Sequence, residues 1–365
     1  MNVVIVGAGY AGTIAANRLK KKSPNVAITV VNPRSEFIER VRLHEEIAGT
    51  GAAATPLAAM LSDGIALRTG SVRKVGDGVV TLDDGETLSY EYLFLAVGST
   101  VTPIPGATPV GTWEGAVRAR ECLAALPAAG TVTVIGGGLT GIETASELAA
   151  ARPDLRVRLV AETVGASLSA GARRRVHQVL EQLNVTIVNG SVAAVEPGGV
   201  VRLESGTEFA SDLTLWAVVS GIPDLAASSG LTVNDEGRAV VDQYLRSVDD
   251  QQIFVIGDCA AVPGARLCCA TASPQGAHAA DTLARILADK KPKPYSMGYT
   301  GQALSLGRKN GLVQASSRDG QVRWLYISGR IAAVSKEYIS RYAKFGSRTA
   351  TYAWLPGKRT RTQRS

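Results

Sequence analysis

Cysteine is almost missing from this chain: four among 365 residues, at positions 122, 259, 268 and 269. None forms a C-x-x-C pair, and three histidines are too few to complete a zinc site, so no metal ligands are expected. Disulfide and zinc chemistry are thereby excluded as organising devices, and a reducing, cytoplasmic setting is implied. Long hydrophobic runs are missing too. The longest apolar stretches are strand-length and broken by glycine or charge, and the N-terminus enters a strand directly, so neither a signal peptide nor a spanning helix is expected.

Net charge is absent over most of the length. The formal +7 resides in residues 336–365, where eight basic residues face Glu337 alone. An isoelectric point near 9.3 therefore describes one segment. That segment lacks aromatic stacking platforms and a folded basic face, which argues against a specific nucleic-acid partner. What is abundant is glycine, 39 residues, within a chain that is 45 % hydrophobic. Such a chain can bury a large core over two or three domains.

"NVVIVG" reads as a strand, and Ala11, Ile14, Ala15 and Leu19 recur at helical spacing before "KKKSP" ends the helix. "VAITVVN" follows as a second buried strand, making a βαβ unit and a parallel sheet. "SVRKVGDGVVTLDDGETLSY" predicts an antiparallel meander, and "YEYLFLAVGS" another strand before the Pro/Gly-dense crossover "TPIPGATP". The pattern then repeats: "TVTVIGG", a helix to about Ala151, "VRLVAE", the basic helix "AGARRRVHQVLEQL", "VTIVNG", a second meander and "LTLWAVVSG". The repeat unit of roughly 120 residues suits two nucleotide-binding domains rather than a solenoid. "QQIFVIGDCAAV", a helix from near Ser273, and a smaller C-terminal domain of strands and one helix complete the chain.

Both repeats carry G-x-G-x-x-G between strand and helix: Gly7, Gly9, Gly12, and Gly136, Gly138, Gly141. The first glycine permits the tight turn, the second lets backbone approach a pyrophosphate, and the third allows close helix packing. The helix N-terminus offers free N–H groups to the phosphates. About twenty residues on, where an acid holds a ribose hydroxyl, stand Asn32 in the first copy and Glu162 in the second. Glu162 favours NADH, but it sits one place beyond Ala161, the residue directly following the apolar strand. NADPH therefore stays open, with Arg173, Arg174 and Arg175 either meeting a 2′-phosphate or forming a solvated helix face. Two dinucleotides on one chain imply hydride transfer between a flavin and a nicotinamide.

With "IFVIGDCA", "YLFLAVGSTVTPIPG" and "LTLWAVVSG" added to the glycines, residues 1 to about 290 resemble the two-dinucleotide-binding flavoprotein superfamily, the pyridine nucleotide-disulfide oxidoreductases. The resemblance implies an α/β fold with two Rossmann-like domains, the NAD(P)H domain (109–232) inserted in the FAD domain (1–108 and 233–293), plus a small α+β C-terminal domain (294–365). It implies FAD contacts at Gly7, Gly9, Tyr10, Ala11, Gly12, Asn32, Arg34, Arg42, Val72, Ala96, Gly98, Gly257, Asp258 and Ala270, with Asp258 on the ribityl chain. For NADH or NADPH it implies Gly136, Gly138, Leu139, Thr140, Gly141, Glu143, Glu162 and Gly221.

The cysteine pair of the disulfide reductases is lacking in "FIERVRLHEEIAGTG", and adjacent Cys268 and Cys269 are poorly placed to act as a redox couple. "GGGLTGIETASEL" looks most like the type II NADH:quinone oxidoreductases and the apoptosis-inducing-factor-like quinone reductases. That resemblance places Glu143 at the nicotinamide and Gln275 either in the acceptor pocket or in a helix-start contact. His44 and His278 read as packed histidines or as bases. The implied enzyme passes hydride from NAD(P)H to flavin and two electrons to a quinone. Its rivals are a ferredoxin or rubredoxin reductase, a small-metabolite oxidoreductase and an NADH-responsive redox sensor. In the tail, Tyr338, Ile339, Tyr342 and Phe345 share a helix face, with Lys336, Arg341 and Lys344 elsewhere and Trp354 and Leu355 beyond. That face either lies on an anionic membrane or docks on the flavin domain or a second subunit.

Overall fold

The computed structural model describes residues 1–219 and 221–359; the tail's Arg361 and Arg364 lie outside the described residues. Two five-stranded parallel sheets form the body. In the first lobe the order is Ile253–Val255, Tyr92–Leu95, Asn2–Val6, Ala27–Asn32, Ile65–Thr69. In the second it is Thr108–Pro109, Leu213–Trp216, Thr131–Ile135, Arg156–Ala161, Thr186–Asn189. Strands such as Val3–Val6 and Val132–Ile135 are buried throughout, as strands covered on both faces must be. Each sheet feeds a 13-residue helix from its central strand, Tyr10–Lys22 and Leu139–Ala151. Each lobe also carries a three-stranded antiparallel meander. The repeat in the sequence is thus a repeat in space.

The helix expected near Ser273 begins at Cys269 and runs to Ile286 with Pro274 inside it. Ser-Pro looks like a helix start because Pro lacks an N–H and suits the first turn. Packing overrides that signal: at Gly276 any Cβ would come within 2.2 Å of Ala11 O, so the two helices meet backbone to backbone.

The C-terminal segment ties the lobes together. Its sheet (Gly301–Ser305, Gly311–Ser316, Val322–Ser328) and the turn after the first strand add Leu304, Leu306 and Leu312 to the second lobe's core, which also receives Leu43 and Ile47 from the first lobe. Its helix, Arg330–Thr349, docks on the first lobe through Ala343. The helix's terminal carbonyls find donors there: Asn17 Nδ2 donates to Ser347 O at 2.8 Å and Arg348 O at 3.1 Å. Arg18 Nη1 donates to Ala350 O at 3.0 Å. Arg42 grips Glu337 with both Nη atoms at 2.9 Å.

The hydrogen bond from Arg42 holds the Glu337 carboxyl down, from 4.5 to about 2. Because the folded value is depressed, this stabilisation is complete above the ordinary carboxyl range and is lost as pH falls through about 2. Glu337→Gln is expected to lower unfolding free energy by about 1–2 kcal/mol near neutral pH, a figure discounted for the pair's partial exposure. Urea titrations should show the gap to wild type narrowing as the solution is acidified, and a gap independent of pH would contradict the assignment.

Candidate active site

The two glycine turns share one geometry. Gly7 and Gly136 adopt φ of +99° and +125°, and their N–H groups donate to Val31 O at 2.8 Å and Val160 O at 2.9 Å. At the third glycines there is no room for a side chain: a Cβ on Gly12 would lie 1.9 Å from Gly7 O, and one on Gly141 1.8 Å from Gly136 O. At the second glycines, Gly9 and Gly138, a Cβ would meet nothing within 4 Å. Both are N-caps without a side-chain hydrogen bond. The first-turn N–H groups of Tyr10, Ala11 and Gly12, and of Leu139, Thr140 and Gly141, have no intrahelical acceptor, and with no side chain at the preceding glycine they suit an anion such as a pyrophosphate. The buried Tyr10 hydroxyl has no partner among the described residues.

The acids that follow are not equivalent. Strand register pairs Val6 with Val31 and Ile135 with Val160, so Ala161, and not Glu162, is the counterpart of Asn32. Asn32 serves its own turn: Oδ1 accepts from Ala8 N at 3.0 Å and Nδ2 donates to Arg34 O at 2.7 Å. In the second copy Gly137 stands where Ala8 does. A Cβ there would meet Thr163 O at 2.3 Å and the Ala161 Cβ at 2.7 Å, so the loop crosses too closely for any side chain. Glu162 accepts from Ser191 Oγ at 2.6 Å.

The other expected flavin contacts gather at the carboxyl end of the first sheet. Ala96 and Gly98 follow strand Tyr92–Leu95, and Gly257 and Asp258 follow strand Ile253–Val255. Asp258 Oδ2 accepts from Ser99 Oγ at 2.7 Å, and half-buried Arg40 donates to the same Oγ at 3.0 Å. Gln275 is 1 % exposed, and its Oε1 accepts from Gly257 N at 2.7 Å, which fixes the loop that presents Asp258. Ala270 is exposed on the first turn of its helix, and Val72 opens the meander. Gly221 returns to the first lobe, its carbonyl accepting from Thr100 N at 2.9 Å. Two expected contacts are spent elsewhere. Arg34 pairs with Glu114, and Arg42 is occupied by Glu39, Glu45 and Glu337.

Glu143 lies at the junction of all three parts. Its Oε1 accepts from Ser305 N at 2.9 Å and meets Lys336 Nζ at 3.1 Å. Ser305 Oγ stands 3.3 Å from that carboxylate and 3.2 Å from His44 Nε2. Burial alone opposes ionisation of Glu143, but Lys336, His44 and the Ser305 N–H hold its carboxyl below the usual range. Burial likewise opposes the Lys336 charge, and Glu143 more than restores it. His44, buried between the lobes, is pushed down by burial. Cys269, at the start of its helix, lies within electrostatic reach of Lys336 and Asp258, and burial pushes its thiol up. His278 is a packed histidine, edge-on to Tyr295 at 5.2 Å. Lys336 and Ser305 escape a sequence reading because they arrive from a domain without a motif.

Two of the tail's basic residues turn into the molecule, away from its apolar face. Lys336 and Lys344 point inward, Lys344 Nζ onto Glu39 at 2.8 Å, and Trp354 turns its Nε1 to Ser296 O at 2.9 Å. The apolar face is real and larger than foreseen. Tyr338, Ile339, Tyr342 and Phe345 are joined on the helix by Ile331 and Val334, all exposed, and Trp324, Leu325 and Ile327 are exposed on the preceding strand. No helix among the described residues is long and apolar enough to cross a membrane, and none of their side chains forms a metal-binding group.

The family described as pyridine nucleotide-disulphide oxidoreductase matches residues 1–282. A NADH dehydrogenase-like protein of Mycobacterium tuberculosis is 36 % identical over 293 residues, covering 71 % of this chain and 72 % of the relative. Ferroptosis suppressor protein 1 of Taeniopygia guttata is 28 % identical over 358 residues, 92 % of each chain. Among solved structures, the sulfide:quinone oxidoreductase of Aquifex aeolicus superposes with a TM-score of 0.80 at 18 % identity, covering 96 % of this chain and 92 % of its own.

The third glycines separate the two sites experimentally. Gly12→Ala is expected to be purified without flavin. Gly141→Ala should retain flavin yet lose saturable reduction by NAD(P)H, read from the visible spectrum during anaerobic titration. Loss of flavin from both variants would refute the assignment of one cofactor to each turn.

Proposed function

Because the chain belongs to the pyridine nucleotide-disulphide oxidoreductase family and is an FAD-dependent NAD(P)H oxidoreductase, we propose that its electron acceptor is a quinone taken from a lipid surface. In the net reaction, NAD(P)H, one proton and the quinone give NAD(P)⁺ and the quinol. Bound flavin supplies the carrier that takes two electrons from the nicotinamide and releases them to the acceptor. The chain's own part is alignment and protons.

The observation that carries this reading is that one helix, Arg330–Thr349, has two working faces. Its inner face sets Lys336 against Glu143, beside the start of the helix Cys269–Ile286. Its outer face bares Ile331, Val334, Tyr338, Ile339, Tyr342 and Phe345. An apolar acceptor held in lipid can approach along the outer face and place its oxygens near Lys336 Nζ. Lys336 holds a proton at Nζ and donates it to the quinone oxygen. Solvent reaches the partly exposed Lys336 side chain and restores the proton, while Ser305, 3.3 Å from the Glu143 carboxylate and 3.2 Å from His44 Nε2, holds that carboxylate in place. Glu143 keeps the ammonium charged, and Gln275 positions the loop bearing Asp258. An acidic protein carrier is a poorer fit, since Lys336 and Lys344 are spent inside the molecule.

Anaerobic stopped-flow with NADH, followed by a short-chain quinone, tests the chemistry. Wild type should bleach and reoxidise at once. Lys336→Met should bleach normally but reoxidise about a hundredfold more slowly, the scale of a lost proton donor. Wild-type bleaching that no quinone reverses would sink the proposal.

The surface reading is tested by sedimentation with vesicles. Wild type should co-pellet, and Ile331→Asp combined with Tyr338→Asp should not. A wild type that stays in the supernatant as a dimer by light scattering would make the face a subunit interface.

A further inference from the structure

The neutrality of the chain ahead of its tail is an average, and its charges are unevenly spread. The helices Tyr10–Lys22 and Cys269–Ile286 run side by side away from the glycine turn of the first lobe, and the helix Arg330–Thr349 packs beside them. Each finishes with a basic last turn: Lys20, Lys21 and Lys22 in the first, Arg285 in the second, Arg348 in the third. Arg18 ties the three together, with Nε and Nη2 donating to Asp281 at 2.7 and 2.8 Å and Nη1 donating to Ala350 O at 3.0 Å. Arg285 Nε donates to Lys291 O at 2.7 Å, which holds the basic segment 290–293 at the same end. The strand Leu355–Arg359 runs antiparallel beside Ser296–Gly298 and returns the tail's backbone to this edge, with Arg359 opposite Ser296.

The charges gathered there do not cancel. Asp281 is shared by Arg18 and Lys22, at 2.7 and 2.8 Å. Among the described residues the side chains of Lys21, Lys290, Lys291, Lys293 and Arg348 make no ion pair, and all five residues are exposed. A cation at a helix C-terminus is the ordinary answer to the helix dipole. Three such termini amount to about one and a half negative charges, and Asp289 adds one more. Five unpaired cations exceed that, so this end of the lobe stays positive. It also borders an apolar surface: Phe345, exposed on the last helix, lies one turn before exposed Arg348.

We propose that this end of the first lobe binds the anionic headgroups of a phospholipid bilayer, forming a basic rim to the apolar face of the helix Arg330–Thr349. The inference rests on the reading that the acceptor is drawn from a lipid surface, and adds which lipid that surface must contain. An apolar helix face edged by cations is the arrangement that settles at a charged membrane interface, rings and aliphatic chains among the acyl chains and ammonium groups among the phosphates. A second copy related by a two-fold axis would set the positive end against itself. A nucleic acid would engage the cations and leave the apolar face uncovered. The helix Tyr10–Lys22 has 13 residues, so its basic end stands about 20 Å from the glycine turn where it starts, and headgroups can bind there without entering the cofactor site.

Co-sedimentation of the flavin-loaded protein with vesicles of phosphatidylcholine alone, and of phosphatidylcholine mixed with phosphatidylglycerol, tests the rim. Wild type should prefer the anionic vesicles, and added salt should shrink the preference. Lys290→Ala/Lys291→Ala/Lys293→Ala should lower partition onto them about a hundredfold, each cation near the surface counting for a factor of about five. Partition of this triple variant onto neutral vesicles, its flavin content and its turnover of a short-chain quinone in solution should match wild type. Equal partition of wild type onto the two vesicles, or a triple variant that keeps the full preference, overturns the proposal. So does tighter binding to a short DNA duplex, read by fluorescence anisotropy, than to either vesicle. The outcome is separable from that of the reading beneath it. Anionic preference in a protein whose reduced flavin no quinone reoxidises leaves the rim standing and removes the quinone, whereas rapid turnover of a short-chain quinone without anionic preference does the reverse.

Discussion

A lysine ammonium taken out of water must find a counter-charge or give up its proton. Lys336 finds Glu143, and neither residue can reach the other unless three separate parts of the chain are already assembled. Glu143 comes from the second lobe's fingerprint helix, Lys336 from the C-terminal helix, and His44 from the short helix of the first lobe. Around the pair, Arg42, Arg308 and Lys344 meet Glu39, Glu45, Glu147 and Glu337. Such buried ionic contacts add little net stability compared with apolar packing, but a misplaced one is costly. Their effect is to admit one relative placement of the two lobes, the placement on which ring-to-ring distance between two cofactors depends.

The glycines act by a different constraint, the exclusion of volume. Both turns are copies down to the hydrogen bond that closes each one. Divergence begins one residue later, at Ala8 against Gly137 and Asn32 against Ala161. In the first turn a side-chain amide braces the loop; in the second, bare backbone crosses it at close range. The two turns thus share one backbone geometry and differ at the end of the following strand, the region where dinucleotide sites of this kind meet the sugar.

What the sequence made legible was whatever depends on local pattern. The strands, the repeat, the meanders and both turns follow from runs of Val and Ile punctuated by Gly, and the α/β class follows from them. The site was half legible. Glu143 and Asp258 belong to motifs, whereas Lys336 and Ser305 come from a segment whose only signal was amphipathicity. Arg42 and Gln275 were visible as residues but not as jobs: one is occupied by carboxylates and the other braces a loop. The tail's charge and its apolar face were legible, but the acids that Lys336 and Lys344 meet were not, because Glu143 and Glu39 lie far away along the chain. Pro274 misled by imitating a helix start that tertiary packing ignores.

The first lobe is closed by late-arriving chain. Its edge strand Ile253–Val255 pairs with Tyr92–Leu95, and Asn17 bonds to Ser347 across 330 positions. The second lobe's sheet, by contrast, is drawn from one continuous stretch between Thr108 and Trp216. On a ribosome, where domains fold as they emerge, the inserted lobe can therefore finish before the lobe that encloses it. Until then strand Tyr92–Leu95 waits with an unpaired edge, the kind of surface that recruits foreign strands. Damage to the end of the last helix would be felt at the beginning of the chain, where Asn17 and Arg18 would lose the carbonyls they bind.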